Sequence, residues 1–349
     1  MDKENILVTV CCTTYNHENF IRQALEGFVN QKTNFKYEVL VHDDASTDAT
    51  TQVIKEYEKK YPDIIRPIYQ KENQYRNGKK IMARFIVPKS RGKYIAYCEG
   101  DDFWTDSNKL QIQADALEAN SDCSICFSKV ELTDLEGKGK RFFLPFKSSF
   151  ERGVIRSRDY LSFVAFPGAF QCMSFQLSGC MVRKEYLNEM YFENPSFIKA
   201  FDVGDIPLFL YMGMKGNAYY IEQCMSCYRT ENDNSWAGRV RQSSDKGVGH
   251  YEIESRGLEA FDIYSNYIVH EDIENGVKNR KFIILRLRHD IHGLKSDEMK
   301  DLYSLLPLRS RIIEHVFHFF PWSESFWIRL KKAGLQRLLD RMLAKSAES

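Results

Sequence analysis

The chain has 349 residues, enough for one large domain with an appendage, and 43% of them are hydrophobic, ample for a packed core. Mean hydropathy is −0.45 and no apolar run is long enough to span a bilayer. A net charge of +1 excludes bulk-charge affinity for nucleic acid, and Met1-Asp2-Lys3-Glu4-Asn5 carries no signal-peptide pattern, so a cytoplasmic protein is expected.

Residues 6–12 form a short apolar run rich in β-formers, expected as a strand that leads into Thr13-Thr14-Tyr15-Asn16. Phe20, Ile21, Ala24, Leu25 and Phe28 then recur at helical spacing. A second strand is expected over 37–42, running straight into Asp43-Asp44-Ala45-Ser46-Thr47-Asp48. Ser46 or Thr47 is expected to cap the next helix, whose apolar positions are Val53, Ile54 and Tyr57. A third strand over 64–69 and a helix-and-loop segment over 77–91 lead to a fourth strand starting at Tyr94. That strand ends in Glu99-Gly100-Asp101-Asp102-Phe103-Trp104.

Strands alternating with helices imply a parallel sheet with right-handed crossovers. Both acidic clusters then fall on its carboxyl edge, where open α/β sheets bind ligands. Three carboxylates within four residues raise one another's pKa unless a cation sits among them. A Mg²⁺-type ion, held by one or two carboxylates plus substrate phosphates, meets that need. Alone, Glu99 to Asp102 reads as a solvated acidic turn; two clusters converging on one edge favour a site.

The sequence has nine cysteines, and two pairs, Cys123/Cys126 and Cys224/Cys227, have the spacing of zinc ligands. Both pairs lie in apolar, strand-like runs without a Gly or Pro knuckle. Period-2 alternation should send Cys123 and Cys126 to opposite faces. They are read as small buried hydrophobes.

These motifs together resemble the family-2 glycosyltransferases with the GT-A fold, over residues 4–236. The matching pieces are Thr14-Tyr15-Asn16, Asp43 to Asp48, Asn73, Gly78, Ala83-Arg84, Gly92 to Ile95 and, in the place of the family's DxD motif, Glu99-Gly100-Asp101. The wording Glu99 to Trp104 is similar to a bacterial subgroup with Glu at the first DxD position. Lys109-Leu110-Gln111, Gly204 to Leu208 and Met225 to Arg229 continue the likeness.

The resemblance implies an α/β fold with a mixed sheet, a catalytic region over 1–236 and a mostly helical region over 237–349. It implies an inverting transfer of sugar from a nucleotide-diphosphate donor, UDP-sugar favoured, to a glycan or lipid-linked acceptor. Thr14, Tyr15 and Asn16 would then cup the base, or else pack as an ordinary strand end. Asp44 would accept the uracil imide N–H; Asp43 and Asp44 also suit a helix N-terminus. Arg84 would pair with the diphosphate or with an Asp of the site, or else be a surface cation. Glu99 would lean toward ribose or sugar, Asp101 would hold Mn²⁺ or Mg²⁺, and Asp102 would join through water. Asp205 inherits the role of general base, with Asp202 as fallback, because Gly204 replaces the Glu that usually precedes it. Asp205 also reads as a plain N-cap with Pro207 in the first turn.

Thr230 to Gly238 is polar and turn-rich, like the family's loop that closes over the donor. From residue 248 onward Ile253, Gly257, Ala260, Phe261 and Tyr264 are helically spaced. Over 309–345, Lys and Arg outnumber Asp and Glu eight to three, among Phe317, Phe319, Phe320, Trp322, Phe326 and Trp327. That pattern fits either an interfacial helix at the inner membrane face or a helix packed on the catalytic region. Two other classes remain, a nucleotidyltransferase and a non-catalytic nucleotide-sugar binder. The first usually has a Gly-rich phosphate loop, which Cys11 to Thr14 is not; the second has no need of Asp44, Asp101 and Asp205 together.

Overall fold

The computed structural model describes residues 6–319 except 79, 146–149, 170, 172–174, 231–237, 239 and 241–242. Most of the expected donor-closing loop, and the aromatics from Phe320 onward, lie outside the described residues.

β1 (Ile6–Thr14) is apolar on both faces and almost wholly buried, as a central parallel strand must be. Val8, Val10 and Cys12 point to one core and Cys11 to another. On the first side pack α1 (Ile21–Val29), α2 (Thr50–Lys60) and, further along, α3 (Lys109–Ala119), through Leu25, Phe28, Ile54 and Leu110. β2 (Lys36–Asp43), β3 (Ile65–Tyr69) and β4 (Tyr94–Tyr97) give the parallel order β3-β2-β1-β4, with β1 and β2 in register up to Thr14 against Asp43. Both acidic motifs therefore leave the sheet at the same edge, as the strand–helix alternation requires.

Beyond β4 the sheet becomes mixed. The short β5 (Phe103–Trp104) follows the acidic turn, then come β6 (Cys123–Thr133), β7 (Gly139–Leu144), β8 (Gly153–Ile155), β9 (Cys180–Arg183) and β10 (Asn217–Arg229). The full order is β3-β2-β1-β4-β9-β6-β10-β5, with β9 antiparallel to both its neighbours and β10 parallel to β6. The second core lies on the other face, under α4 (Ser157–Ala165), α5 (Lys184–Glu193) and α6 (Asp205–Lys215). The C-terminal helices α7 (Ser244–Tyr264) and α8 (His270–Leu287) send Leu258, Phe261 and Ile273 into that same core.

Two local expectations are corrected. Ser46 and Thr47 do not cap α2, which starts only at Thr50; Asp48 Oδ1 accepts from Thr50 N at 2.9 Å and Glu18 Oε2 from Ala49 N at 2.9 Å. The expected helix-and-loop segment over 77–91 contains a wide π-type turn, Met82–Ile86, and a 3₁₀ turn, Val87–Lys89. Cys123 and Cys126 share one core rather than facing apart. The register jumps from Asn217 opposite Cys123 to Ala218 opposite Ile125, so Ser124 is the extra residue of a bulge. One inserted residue shifts the alternation and returns Cys126 to the side of Cys123. The described cysteines are all unpaired, and among the described residues no group of three or more His, Cys, Asp and Glu is arranged to hold a metal.

Candidate functional site

The carboxyl edge of β1 and β2 carries two interlocked loops. Asn16 sits in the left-handed region at φ 54°, which Asn tolerates well. From there its N–H donates to Ser46 Oγ at 3.0 Å and its Oδ1 accepts from Thr47 N at 2.8 Å. His17 N–H donates to Thr50 Oγ1 at 2.8 Å. Asp43 is buried and its two oxygens serve its own loop, accepting from Ser46 N at 3.0 Å and from Thr51 Oγ1.

Asp44 reaches the other way. Its Oδ1 accepts from Gln74 N at 2.8 Å and its Oδ2 from Tyr75 N at 3.0 Å, while its main-chain N–H donates to Thr14 O at 3.0 Å. One carboxylate thus shapes the turn opposite Tyr15, whose ring carries the Arg76 guanidinium 5.5 Å from its centroid. A carboxylate offers about four lone-pair sites, so Asp44 retains acceptor capacity beyond these two amides. Arg84 is exposed on the π-type turn, 5.8 Å from the Phe85 ring centre. The structure gives it no carboxylate partner among the described residues, so it does not join Asp44 or Asp101.

The acidic turn is held against β1. Gly100 N–H donates to Thr13 O at 2.9 Å, and a Cβ at Gly100 would lie 2.5 Å from Thr14 Oγ1 and 2.7 Å from Thr14 Cβ. Only glycine permits that approach. Thr14 Oγ1 and His17 Nδ1 are buried here without a hydrogen-bond partner. Asp101 is 7% exposed, and His17 Nε2 stands 3.8 Å from its Oδ2.

Asp102, expected to join a metal through water, lies in the interior. It is fully buried and turned into the protein, accepting from Ser178 Oγ through Oδ2 and from Arg229 N through Oδ1 at 3.2 Å. Burial first, then the charge of Asp101, raises its carboxyl well above the ordinary range. Glu99 meets solvent at its surface but is crowded by protein. Desolvation first, then the charges of Asp101, Asp102 and Asp205, pushes it well above the carboxylate range.

Asp205 comes from the other half of the fold. It is the first residue of α6, not its N-cap, which is Gly204; its Oδ1 accepts from Ile206 N at 2.9 Å. Its carboxyl is raised by burial, with Glu254 adding to the shift and His250 opposing it. Asp202, the alternative base, is exposed and accepts from His250 Nδ1 at 3.1 Å.

Three residues were not singled out from the sequence. His17 directly follows Thr14-Tyr15-Asn16, and that adjacency was the available signal. Arg229 closes the Met225 to Arg229 stretch that was recognised without a role. His250 lies in a helix with nothing in its neighbourhood to mark it.

The sequence profile described as glycosyl transferase family 2 matches residues 9–189, a little over half of the chain, and the chain belongs to that family. An uncharacterized protein of Mycobacterium tuberculosis is 39% identical over 138 residues, 40% of this chain and 39% of that one, so the match spans about two fifths of this relative's length. A putative teichuronic acid biosynthesis glycosyltransferase of Bacillus subtilis, TuaG, is 23% identical over 252 residues, 71% of this chain and 88% of that one. The crystal structure of S. aureus TarS in complex with UDP-GlcNAc is similar in fold, with a TM-score of 0.54 at 14% identity over 85% of this chain and 78% of that chain.

Proposed function

We propose that this chain is an inverting glycosyltransferase that moves a sugar from a UDP-sugar to a glycan or lipid-linked acceptor in bacterial surface polysaccharide synthesis. The observation that carries the reading is the meeting of both acidic motifs at one sheet edge, with Thr14 opposite Asp43 and the Gly100 N–H donating to Thr13 O, and Asp205 near enough to add its charge to that of the turn. Donor-side carboxylates and a carboxylate suited to proton transfer thus share one site. TuaG supports the envelope-polymer assignment by its name, and the UDP-GlcNAc held by TarS supports the donor class.

Asp205 takes the proton of the acceptor hydroxyl while that oxygen bonds to the anomeric carbon. The carbon–oxygen bond to the diphosphate breaks in the same displacement, and UDP leaves with the electron pair. A carboxyl raised by burial accepts that proton more readily than an ordinary one. Asp44 reads the base, and Thr14, Tyr15 and Asn16 line its seat.

The donor set fits a Mn²⁺ or Mg²⁺ ion bound with its substrate. Asp101 would hold such an ion together with the substrate's phosphates, while Asp102 is bonded into the protein by Ser178 and Arg229. When bound, the ion neutralises charge developing on the leaving diphosphate. No helix among the described residues is long and apolar enough to cross a membrane. On this reading the enzyme works in the cytoplasm, with any contact at the inner membrane face made by the C-terminal region.

A thermal-shift panel of UDP-, dTDP- and GDP-sugars with and without Mn²⁺ tests this reading. A UDP-sugar with Mn²⁺ should stabilise the protein most, and Asp101→Asn should lose the metal-dependent part. Undiminished metal-dependent stabilisation in that variant removes Asp101 as the ligand; no stabilisation of the parent chain by any donor overturns the function.

A further inference from the structure

Behind Asp205 lies a charged cluster that the transfer reaction does not yet explain. His250, on α7, accepts or donates at both ends: Nδ1 is 3.1 Å from Asp202 Oδ1 and Oδ2, and Nε2 is 3.0 Å from Glu254 Oε1 one turn along the same helix. Glu254 Oε2 in turn accepts from Arg280 Nε of α8 at 2.7 Å, and Arg280 is fully buried. Two carboxylates and two cationic groups so alternate from the loop before α6 to the C-terminal helices.

The same helix seats the backbone just before Asp202. Gly257 lies so close to Phe201 that a Cβ there would meet three ring carbons at 2.6 Å, and Phe261 meets Phe197 edge to face at 5.1 Å. α7 therefore touches the 197–202 segment through both an aromatic seat and an ionic tie.

We propose that His250 is a positioning residue for Asp205: from α7 it ties Asp202, three residues upstream, to the buried Glu254–Arg280 pair, so that the C-terminal helices fix the acceptor side of the site. The proposal rests on Asp205 as the base. It also gives a physical role to the helices beyond the nucleotide-binding half, at the place where Gly204 leaves the base without a neighbouring side chain. The ionisable groups around Asp205 are Glu99 of the acidic turn, Cys180 of β9, and His250 and Glu254 of α7, with Asp202 and Arg280 behind them. Burial would by itself lower His250, but its bonds to Asp202 and Glu254 and their charges prevail and raise it to about 9. It is thus cationic at neutral pH and offsets the field of Glu254 at Asp205.

The test follows UDP release from a panel of UDP-sugars, with water or a glycan as acceptor, by the full chain and by His250→Gln, Asp202→Asn, the double variant and Asp205→Asn. Loss of the tie should lower kcat in His250→Gln by about tenfold or more, with the KM for UDP-sugar within about twofold, because the base and not the donor seat has moved. The acid limb of the kcat profile should also move to higher pH by about one unit, since Glu254 then acts on Asp205 with less opposition. Asp202→Asn changes an exposed side chain, so it carries the test even if His250→Gln folds poorly. It should lower kcat in the same direction, and the double variant should be no worse than His250→Gln alone. Wild-type kcat and pH limb in both single variants, or a lowered melting temperature with kcat and pH limb intact, overturn the proposal. Full turnover in Asp205→Asn, or a parent chain that releases UDP from no donor, overturns instead the reading on which it rests.

Discussion

The Arg229 guanidinium donates to the main-chain oxygen of Asp101, a residue 128 positions earlier in the chain. Arg229 is 3% exposed; its Nε donates to Leu135 O at 3.0 Å, and its guanidinium carbon lies 4.6 Å from the Phe103 ring centre and 4.9 Å from that of Phe20. Its own N–H reaches Asp102 Oδ1. Arg229 thus brings a buried cation to the acidic turn, holding the Asp101 main chain through its guanidinium and Asp102 through its own N–H.

Arg229→Met should accordingly leave the buried acceptors Asp101 O, Leu135 O and Gln23 Oε1 without their donor. We expect a loss of about 1–3 kcal/mol of stability, the usual cost of leaving a buried hydrogen-bonding group unpaired. Arg229→Lys should recover little, because an ammonium cannot span Asp101, Leu135 and Gln23 at once. Denaturant titrations of the two variants give the comparison, and wild-type stability in Arg229→Met would contradict it.

Asp44 should set base preference. Uracil and thymine diphosphates are expected to bind more tightly than the cytosine one, since the imide N–H can donate to Asp44 and the cytosine N3 cannot. Asp44→Ala should erase the preference and lower UDP affinity by about tenfold, close to the value of one charge-assisted hydrogen bond. Equal affinities of the parent protein for UDP and CDP in calorimetry would remove Asp44 as the reader.

Asp205→Asn should bind donor almost normally yet turn over about 10²-fold or more slowly, the range for a lost general base. A single displacement places the acceptor opposite the leaving diphosphate, so an α-linked donor should give a β-linked product. NMR of the product decides this, and retained configuration would falsify the mechanism.

The His250 cluster makes a pH signature in stability as well. A histidine whose folded pKa is raised to about 9 contributes stability that is complete below its unfolded pKa and disappears as pH rises through the folded one. Stability, followed by the melting temperature, should therefore fall by about 1–3 kcal/mol between about pH 7 and pH 10. His250→Gln should flatten that fall. An unchanged slope in the variant would show that another group titrates there.

Much of the nucleotide-binding half was legible in the residues. The run 6–12 reads as a buried parallel strand because both of its faces are largely apolar, and 37–42 does so through its β-formers even though Glu38 and His42 share one face. The acidic motifs then had to share an edge, which the parallel registers of Thr14 against Asp43 and Cys11 against Tyr97 show. A misreading came where one residue changes phase. The bulge at Ser124 turned Cys126 back to the side of Cys123, and the tight turn after Glu99 set Asp102 against Ser178 and Arg229 while Asp101 lies beside His17.

Sequence alone determined the order of strands and helices and the identity of the carboxylates, since hydrophobic period and local turn chemistry act over a few residues. Which carboxylates meet, and what neutralises them, was decided only by the tertiary fold. Arg229 reaches Asp101, and His250 with Arg280 stands behind Asp205, through contacts that no local pattern encodes. Such pairs form because burying a charge is tolerable only beside its opposite, and the fold brings those opposites together from distant parts of the chain.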